Sequence, residues 1–180
     1  MRKAIATFSV LCLGFALFAA ACHAQQDKSK RPSPPAQATL DLGGGKSITV
    51  DYSSPRVKGR KIYGELVPFG QVWRTGANEA TTFVVTADVT VGGTPVPAGS
   101  YTIYTIPNKD KWTLIISKKT GEWGTNYAGA SEDLARIDMK ASPLSSPVEN
   151  FTISFDKSAN GGTLNIDWET TRASVSIAKK

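Results

Sequence analysis

Hydrophobic and polar residues alternate one by one over much of the chain. The alternation is clear at 47–52, 82–86 and 101–106, and it returns after turns rich in Gly, Asn or Asp. It is most regular near the C-terminus, where Phe151, Ile153 and Phe155 precede the turn at 159–162. A strand with one buried and one solvated face has this period of two. The pattern therefore predicts antiparallel β-strands joined by short hairpins.

No stretch of helical length shows a 3.6-residue period. Sixteen Gly and ten Pro residues are spread between short strand-like segments, a distribution typical of all-β domains. We expect an all-β fold, an antiparallel β-sandwich with one long irregular loop, and the alternative architecture is a closed β-barrel. The expected domain spans residues 37–180, long enough to bury its own core.

Residues 52–81 break the alternation. This segment contains glycines, prolines and the aromatic residues Tyr63, Phe69 and Trp73. A connection this long in a compact domain is usually either functional or disordered. Aromatic side chains argue against disorder, because they offer large apolar areas that can fix a loop to the domain.

The N-terminal residues have the three parts of a secretory signal peptide. Arg2 and Lys3 precede an apolar run, which ends in small residues and predicts cleavage after Ala24. Two alternatives remain: a membrane-spanning anchor, and a lipobox that would leave Cys22 as a lipidated N-terminus. We expect residues 1–24 to be a signal peptide, residues 25–36 a disordered tether, and the protein to be periplasmic or secreted, or alternatively lipid-anchored.

Cleavage after Ala24 would remove both cysteines, Cys12 and Cys22, and the single histidine, His23. The mature chain would then lack the residues for disulfides, thiol nucleophiles, Ser-His-Asp triads and Cys- or His-based zinc sites. Removal of Arg2 and Lys3 would lower the formal net charge from +6 to +4. We expect no cofactor, no bound metal and no nucleic-acid partner, because no recognisable nucleic-acid-binding motif accompanies this mild positive charge.

The irregular segment also carries the strongest candidate binding chemistry. Trp can stack on a sugar ring, Arg can donate two hydrogen bonds to an anion, and Asn and Glu can bind hydroxyls. The same residues could instead be structural, with the Trp in the core and the Asn in a left-handed turn. The candidate ligand-binding residues are Trp73, Arg74, Asn78 and Glu79, with Arg56, Lys58 and Arg60 supplying positive charge. The aromatic stretch 123–127 is a second candidate for ligand contact.

Carboxylates are the remaining acid-base groups. Two carboxyl groups about 5–10 Å apart can hydrolyse a glycosidic bond. Asp167 and Glu169 flank Trp168, so they share a strand face opposite this residue. If Trp168 is buried, both acids are expected on the solvent face.

Several short motifs stand out in the region from Tyr52 to Trp123. They are Tyr52-Ser53-x-Pro55, Lys58-Gly59-Arg60, Gly64-x-Leu66-x-Pro68-Phe69-Gly70, Trp73-Arg74-x-Gly76-Ala77-Asn78-Glu79-Ala80-Thr81, Pro97-Ala98-Gly99-x-Tyr101, Ile106-Pro107, Trp112 and Trp123-Gly124. Together these motifs resemble one family of exported bacterial proteins, domain of unknown function 2911. Ser54 departs from the pattern, in which Arg or another polar residue is expected. The resemblance implies export and supports the fold, but it implies no catalytic residue.

These observations lead to three functional hypotheses. The first is a non-catalytic envelope or periplasmic module that binds a glycan or a small anionic ligand. The second is a structural or assembly protein of the cell envelope, and the third is a carboxylate-dependent glycan hydrolase. The sequence leaves the oligomeric state open.

Overall fold

The computed structural model describes residues 27–180. The predicted signal peptide and the lipobox at Cys22 lie outside this range. Within it, no helix is long and apolar enough to cross a bilayer.

The described chain contains nine β-strands and two short 3-10 turns. The strands are β1 (Pro35–Gly43), β2 (Lys46–Ser53), β3 (Thr81–Val85), β4 (Val89–Val91), β5 (Thr94–Val96), β6 (Gly99–Ile106), β7 (Lys111–Ser117), β8 (Asp133–Ser158) and β9 (Gly161–Lys179). The 3-10 turns are Lys28–Lys30 and Ala130–Glu132.

All strand pairs are antiparallel and belong to one open sheet with the order β1-β2-β3-β6-β7-β8-β9-β4-β5. This arrangement confirms the all-β prediction and is consistent with a sandwich-like fold. The closed-barrel alternative is not adopted, because β1 and β5 remain edge strands. The chain just beyond β2 nevertheless reaches β8, where the Phe151 N–H donates to the Pro55 carbonyl at 2.9 Å and the Val57 N–H donates to the Glu149 carbonyl at 2.9 Å.

The hairpin of β8 and β9 is irregular in its pairing. The first part of β8 pairs with β7, and its register with β9 shifts between Pro143 and Val148 and again before Thr152. Proline has no N–H to donate to a ladder, so Pro143 and Pro147 favour such irregularities. Glu169, the partner of Val148, has a left-handed backbone with φ of 55°.

Alternating side chains of the strands form the core. Val50 and Phe83 are neighbours in the β2–β3 register, and Phe83 is also opposite Tyr101 of β6. All three side chains are buried, whereas Thr49 and Thr82, which alternate with them, are partly exposed. The largest fully buried side chains include Trp112 of β7 and Trp168 of β9.

Residues 27–36, which belong to the segment for which a disordered tether was predicted, contact the domain. Strand β1 already begins at Pro35, and residues 27–34 lie against the domain. The Ser54 N–H donates to the Pro34 carbonyl at 2.9 Å, and Asn78 Nδ2 donates to the Ser33 carbonyl at 3.0 Å. These long-range bonds fix a segment whose own sequence contains no core-forming pattern.

Candidate functional site

The long connection from β2 to β3, residues 54–80, is fixed at three places, twice to strands of the sheet and once to the loop between β7 and β8. Isolated bridges join Arg56 to Asn150, Trp73 to Thr105 and Glu79 to Trp123. At the central bridge, the Trp73 N–H donates to the Thr105 carbonyl at 2.8 Å, and the Thr105 N–H returns a bond at 2.9 Å. The loop is therefore held by backbone hydrogen bonds although it is not itself a strand.

Trp73 is part of the aromatic core. Its ring stacks on Trp168, and it meets Tyr63, Trp112 and Phe151 edge to face. Only 7% of the residue is exposed, and its Nε1 donates to the Gly76 carbonyl at 3.2 Å. The ring therefore does not offer a free face on which a sugar could stack.

A tight turn follows Trp73. Thr75 and Asn78 have left-handed φ angles of 56° and 58°, which is uncommon for non-glycine residues. The turn compensates with buried hydrogen bonds: Thr81 Oγ1 donates to the Thr75 carbonyl at 2.7 Å, and the hydroxyls of Thr75 and Thr105 lie 3.1 Å apart. Arg74, between Trp73 and this turn, thereby has a fixed backbone.

The loop and the core enclose a cleft of about 390 Å³. Trp73 and Trp168 line it together with the apolar residues Val67 and Val72. Its polar lining includes Arg60, Arg74, Gln71, Thr125 and Ser33. Among the described residues that line the cleft none is acidic, so its electrostatic potential favours anions.

Arg74 is the most unusual group in the cleft. Its Nη1 donates a long bond of 3.4 Å to Thr125 Oγ1, and its buried Nε has no hydrogen-bond partner among the described residues. Burial lowers the pKa of Arg74 from its ordinary value. The guanidinium of a protein nevertheless stays protonated, and none of the ion pairs formed within residues 27–180 includes Arg74.

The other predicted cations border the same region. Arg60 lines the cleft, and its Nε donates to the Val57 carbonyl at 3.0 Å. Arg56, Lys58 and Arg60 share a neighbouring hollow with Ser33, and Arg56 Nη1 donates to Ser54 Oγ at 2.9 Å. The structure thus brings all four predicted cations close to one another, Arg60 and Arg74 in the cleft and Arg56 and Lys58 in the adjoining hollow, with Trp73 on the core side.

Asn78 and Glu79 lie elsewhere. Asn78 bonds to Ser33, and Glu79 accepts two hydrogen bonds from Arg31, at 2.9 and 3.0 Å, while Lys28 Nζ lies 3.0 Å from it. Burial alone would raise the pKa of Glu79, but hydrogen bonds from its own backbone, Arg31 and Lys28 lower it to about 2. These two side chains fasten the N-terminal segment and do not line the cleft.

The two acids beside Trp168 have unlike surroundings. Trp168 is buried, but Asp167 is buried as well and is not on the solvent face expected for it, whereas Glu169 is partly exposed. Arg172 donates to both oxygens of the Asp167 carboxylate, at 2.8 and 2.6 Å. This pairing leaves Asp167 with an evident structural role.

Sequence reasoning missed several residues of the cleft. Ser33 belonged to the expected tether, and Leu66 and Val67 carried no periodic signal. Thr125 belongs to the aromatic stretch that was singled out as a second candidate for ligand contact. In the described range, no group of three or more His, Cys, Asp or Glu residues is placed to hold a metal ion.

Comparison with known proteins identifies one relationship. The family model described as Protein of unknown function (DUF2911) matches residues 33–177. Searches of curated proteins and of solved structures gave no match. The matched range begins at Ser33, on the rim of the cleft, and includes all nine strands except the last residues of β9.

Proposed function

This chain belongs to the DUF2911 family of proteins of unknown function, and we propose that it is a non-catalytic binding module for a small anionic ligand. The ligand occupies the cleft beside Arg60 and Arg74. One observation carries the proposal: Arg74 is a half-buried cation, without a carboxylate partner among residues 27–180, in a cleft whose described lining contains no acid.

The cost of burying a charge supports this reading. A charged group removed from water is destabilising unless it is paired or hydrogen-bonded. Arg74 has one long bond to Thr125 and an unpartnered Nε. An anion at its exposed nitrogen atoms would provide the missing charge, and Arg is the side chain best suited to carboxylate or phosphate oxygens.

The surroundings favour an anion over a neutral sugar. Trp73, the only tryptophan in the loop, has its ring packed against Trp168 and three other aromatic residues. A sugar inside the cleft would need an open aromatic face there, which the packed ring of Trp73 does not offer. Arg56 and Lys58, in the adjoining hollow, increase the positive potential that attracts an anion.

The proposal includes export. The signal-like residues 1–24 favour a periplasmic or secreted protein, with lipid attachment at Cys22 as the alternative. Intact mass of the protein from the envelope or culture medium tests this part. A mass that begins at Gln25 without lipid supports soluble release, and a lipid-modified mass that begins at Cys22 supports the anchor. An uncleaved chain in the cytoplasm contradicts export.

Titration calorimetry with phosphate, sulfate and acetate tests binding. Arg74→Gln should weaken binding about tenfold or more, because hydrogen bonds to charged groups contribute roughly 1.5–3 kcal/mol. Lys140→Gln removes the same charge from an exposed position on β8 and is the matched control. Absence of heat with every anion, or equal affinity in both variants, contradicts the proposal.

A structural role is the second candidate, and the burial of Trp73 favours it. Here the loop is a packed part of the domain and Arg74 serves only to fix Thr125. This role predicts that Arg74→Gln changes stability without changing the affinity for any anion. The calorimetric comparison therefore separates the two candidates.

A further inference from the structure

The exposed apolar side chains are not scattered over the surface. Within residues 27–180 three large hydrophobic residues are exposed, Leu66 at 46%, Phe69 at 37% and Trp123 at 58%. Leu66 lines the cationic cleft, Phe69 follows the lining residue Pro68, and Trp123 is two residues before the lining residue Thr125. All three lie on the two loops that border the cleft.

The lip formed by Leu66 and Phe69 is a folded unit. The Val67 N–H donates to the Ile62 carbonyl at 2.9 Å, and the Gly64 N–H donates to the Val67 carbonyl at 2.9 Å. The Phe69 ring covers Gly64 so closely that a Cβ there would lie 2.9 Å from Cε2 of the ring. Leu66 and Phe69 are therefore presented by a defined turn.

Trp123 is placed on the facing loop. The Asn126 N–H donates to the Trp123 carbonyl at 3.3 Å, which closes the turn that supplies Thr125 to the cleft. The guanidinium carbon of Arg31 lies 6.0 Å from the centroid of the Trp123 ring. The Arg31 side chain, which also binds the Glu79 carboxylate, thus lies beside an exposed aromatic ring near the cleft.

The interior of the cleft, like its border, combines apolar side chains with cations. Its apolar lining, which includes Val67, Pro68 and Val72, is accompanied by the two guanidinium groups of Arg60 and Arg74. A volume of about 390 Å³ is near the lower end of the roughly 300–1,000 Å³ typical of ligand pockets. A small head group fits inside, and a longer apolar tail would have to continue over the exposed lip.

We propose that the ligand is an amphiphilic anion, with a carboxylate or phosphate head at Arg74 and an acyl or aryl part against Val72 and Leu66. This inference rests on the proposed anion-binding function and names the class of ligand. The positive charge of Arg74 is complementary to an anionic head, and the exposed apolar lip formed by Leu66 and Phe69 would contact an apolar tail. Such a molecule is available as a free solute or as a lipid in a bilayer, and the two sources share this chemistry.

Titration calorimetry with a homologous series tests the inference. Acetate, butanoate, hexanoate and octanoate are compared at monomeric concentrations, with hexanol as the neutral analogue. We expect affinity to increase about two- to fourfold per added methylene, the range for burying half to all of each CH₂ group at about 0.8 kcal/mol. Hexanol should bind much more weakly than hexanoate.

Two variants distinguish the contribution of the charged head to affinity from that of the apolar tail. Leu66→Ser should flatten the dependence of affinity on chain length, whereas Arg74→Gln should weaken binding of the whole series. Leu144→Ser on β8 is the matched control, since Leu144 is partly exposed and does not line the cleft. A length dependence that persists in Leu66→Ser contradicts the assignment of the lip.

Results that contradict the amphiphile inference differ from results that contradict anion binding. Equal affinity for acetate and octanoate, with binding still dependent on Arg74, overturns the amphiphile inference and leaves anion binding intact. No binding of any anion overturns both. Equal binding of hexanol and hexanoate overturns the charged head.

Sedimentation with phosphatidylglycerol vesicles, compared with phosphatidylcholine vesicles, identifies the source. Arg74-dependent binding to the anionic vesicles supports the inference with a bilayer lipid, and binding of the monomeric series alone supports it with a free amphiphile.

Discussion

The indole ring of Trp73 stacks on that of Trp168, with ring centroids 5.8 Å apart and planes 14° from parallel. Trp73 belongs to the irregular loop and Trp168 to β9, so this pair joins the loop to the most extensively paired hairpin of the sheet. Both rings also line the cationic cleft. The position of Arg74, the next residue after Trp73, depends on this contact.

Replacement of Trp73 by alanine should strongly destabilise the domain. We expect the free energy of unfolding to fall by about 3–5 kcal/mol, the usual cost of removing a large buried aromatic side chain. Trp123→Ala removes the same side chain from an exposed position and should cost about 1 kcal/mol or less. Urea denaturation measures both, and an unchanged midpoint for Trp73→Ala would mean that the stack does not hold the loop.

Removal of the Tyr63 hydroxyl is expected to stabilise the domain, unlike the change at Trp73, because this buried hydroxyl has no hydrogen-bond partner among the described residues. Burial raises the pKa of Tyr63, and the charges of Glu169 and Asp167 raise it further, so the hydroxyl stays neutral. An unsatisfied buried polar group costs about 1–3 kcal/mol. Tyr63→Phe should therefore raise the free energy of unfolding by about 1 kcal/mol.

Tyr52→Phe is the matched control for Tyr63→Phe. The Tyr52 hydroxyl accepts a bond of 3.1 Å from the Ile153 N–H, so its removal should lower stability by about 1 kcal/mol. Thermal denaturation of the two variants should give shifts of opposite sign. A loss of stability in Tyr63→Phe would indicate a partner for this hydroxyl.

The ion pairs of Glu79 predict a loss of stability in acid. Its pKa is about 2 in the folded protein, against an ordinary value of about 4.5. A lowered folded-state pKa contributes stability above the unfolded-state pKa, and this contribution is lost as the pH falls from about 4.5 towards 2. The stability difference between the wild type and Glu79→Gln should therefore be largest near neutral pH and should shrink over this interval.

Glu65→Gln is the control for this pH profile, because Glu65 forms an exposed ion pair with Lys61 and should contribute little. Hydrogen exchange provides an independent measurement. In Glu79→Gln, the amides of residues 28–31 and of Ser33 should exchange faster near neutral pH. Unchanged protection there would show that Asn78 and the backbone bonds alone hold the segment.

Gly161, at the start of β9, should tolerate no side chain. A Cβ there would lie 2.2 Å from the Ile177 carbonyl oxygen and 2.9 Å from the Ala178 Cα, both of which are backbone atoms. Gly161→Ala should therefore prevent folding or greatly reduce the melting temperature. Gly93→Ala, also at a positive φ but with no atom within 4 Å, should cost only about 1 kcal/mol. Soluble yield and thermal melting compare the two.

Alternation predicted the strands because burial of one sheet face leaves a local record in the sequence. Ile48 and Val50, for example, lie opposite Val85 and Phe83 in the β2–β3 register, and all four are buried. The irregular character of residues 54–80 was likewise evident from the missing period. A continuous β8 was not evident, because Pro143 and Pro147 interrupt the strand pattern.

The roles of individual loop residues could not be predicted in the same way. Glu79 contacts Arg31, 48 residues away, and Asn78 contacts Ser33, 45 residues away. Contacts across such separations depend on the tertiary path of the chain and produce no periodic signal. Trp73 shows the same difficulty, since a tryptophan in an irregular segment gives no local indication of whether it faces the core or water.

The β1–β2 hairpin sets a useful geometry for attaching reporters. Pro34 and Ser54 meet at its open end beside the cleft, whereas Lys179 and Lys180 share a hollow with Gly43 and Gly44 at its turn. The length of β1 separates these ends by about 26 Å, at about 3.3 Å per residue. A fluorophore or surface linkage at residue 180 would therefore lie at the end of the hairpin opposite Ser33, which lines the cleft.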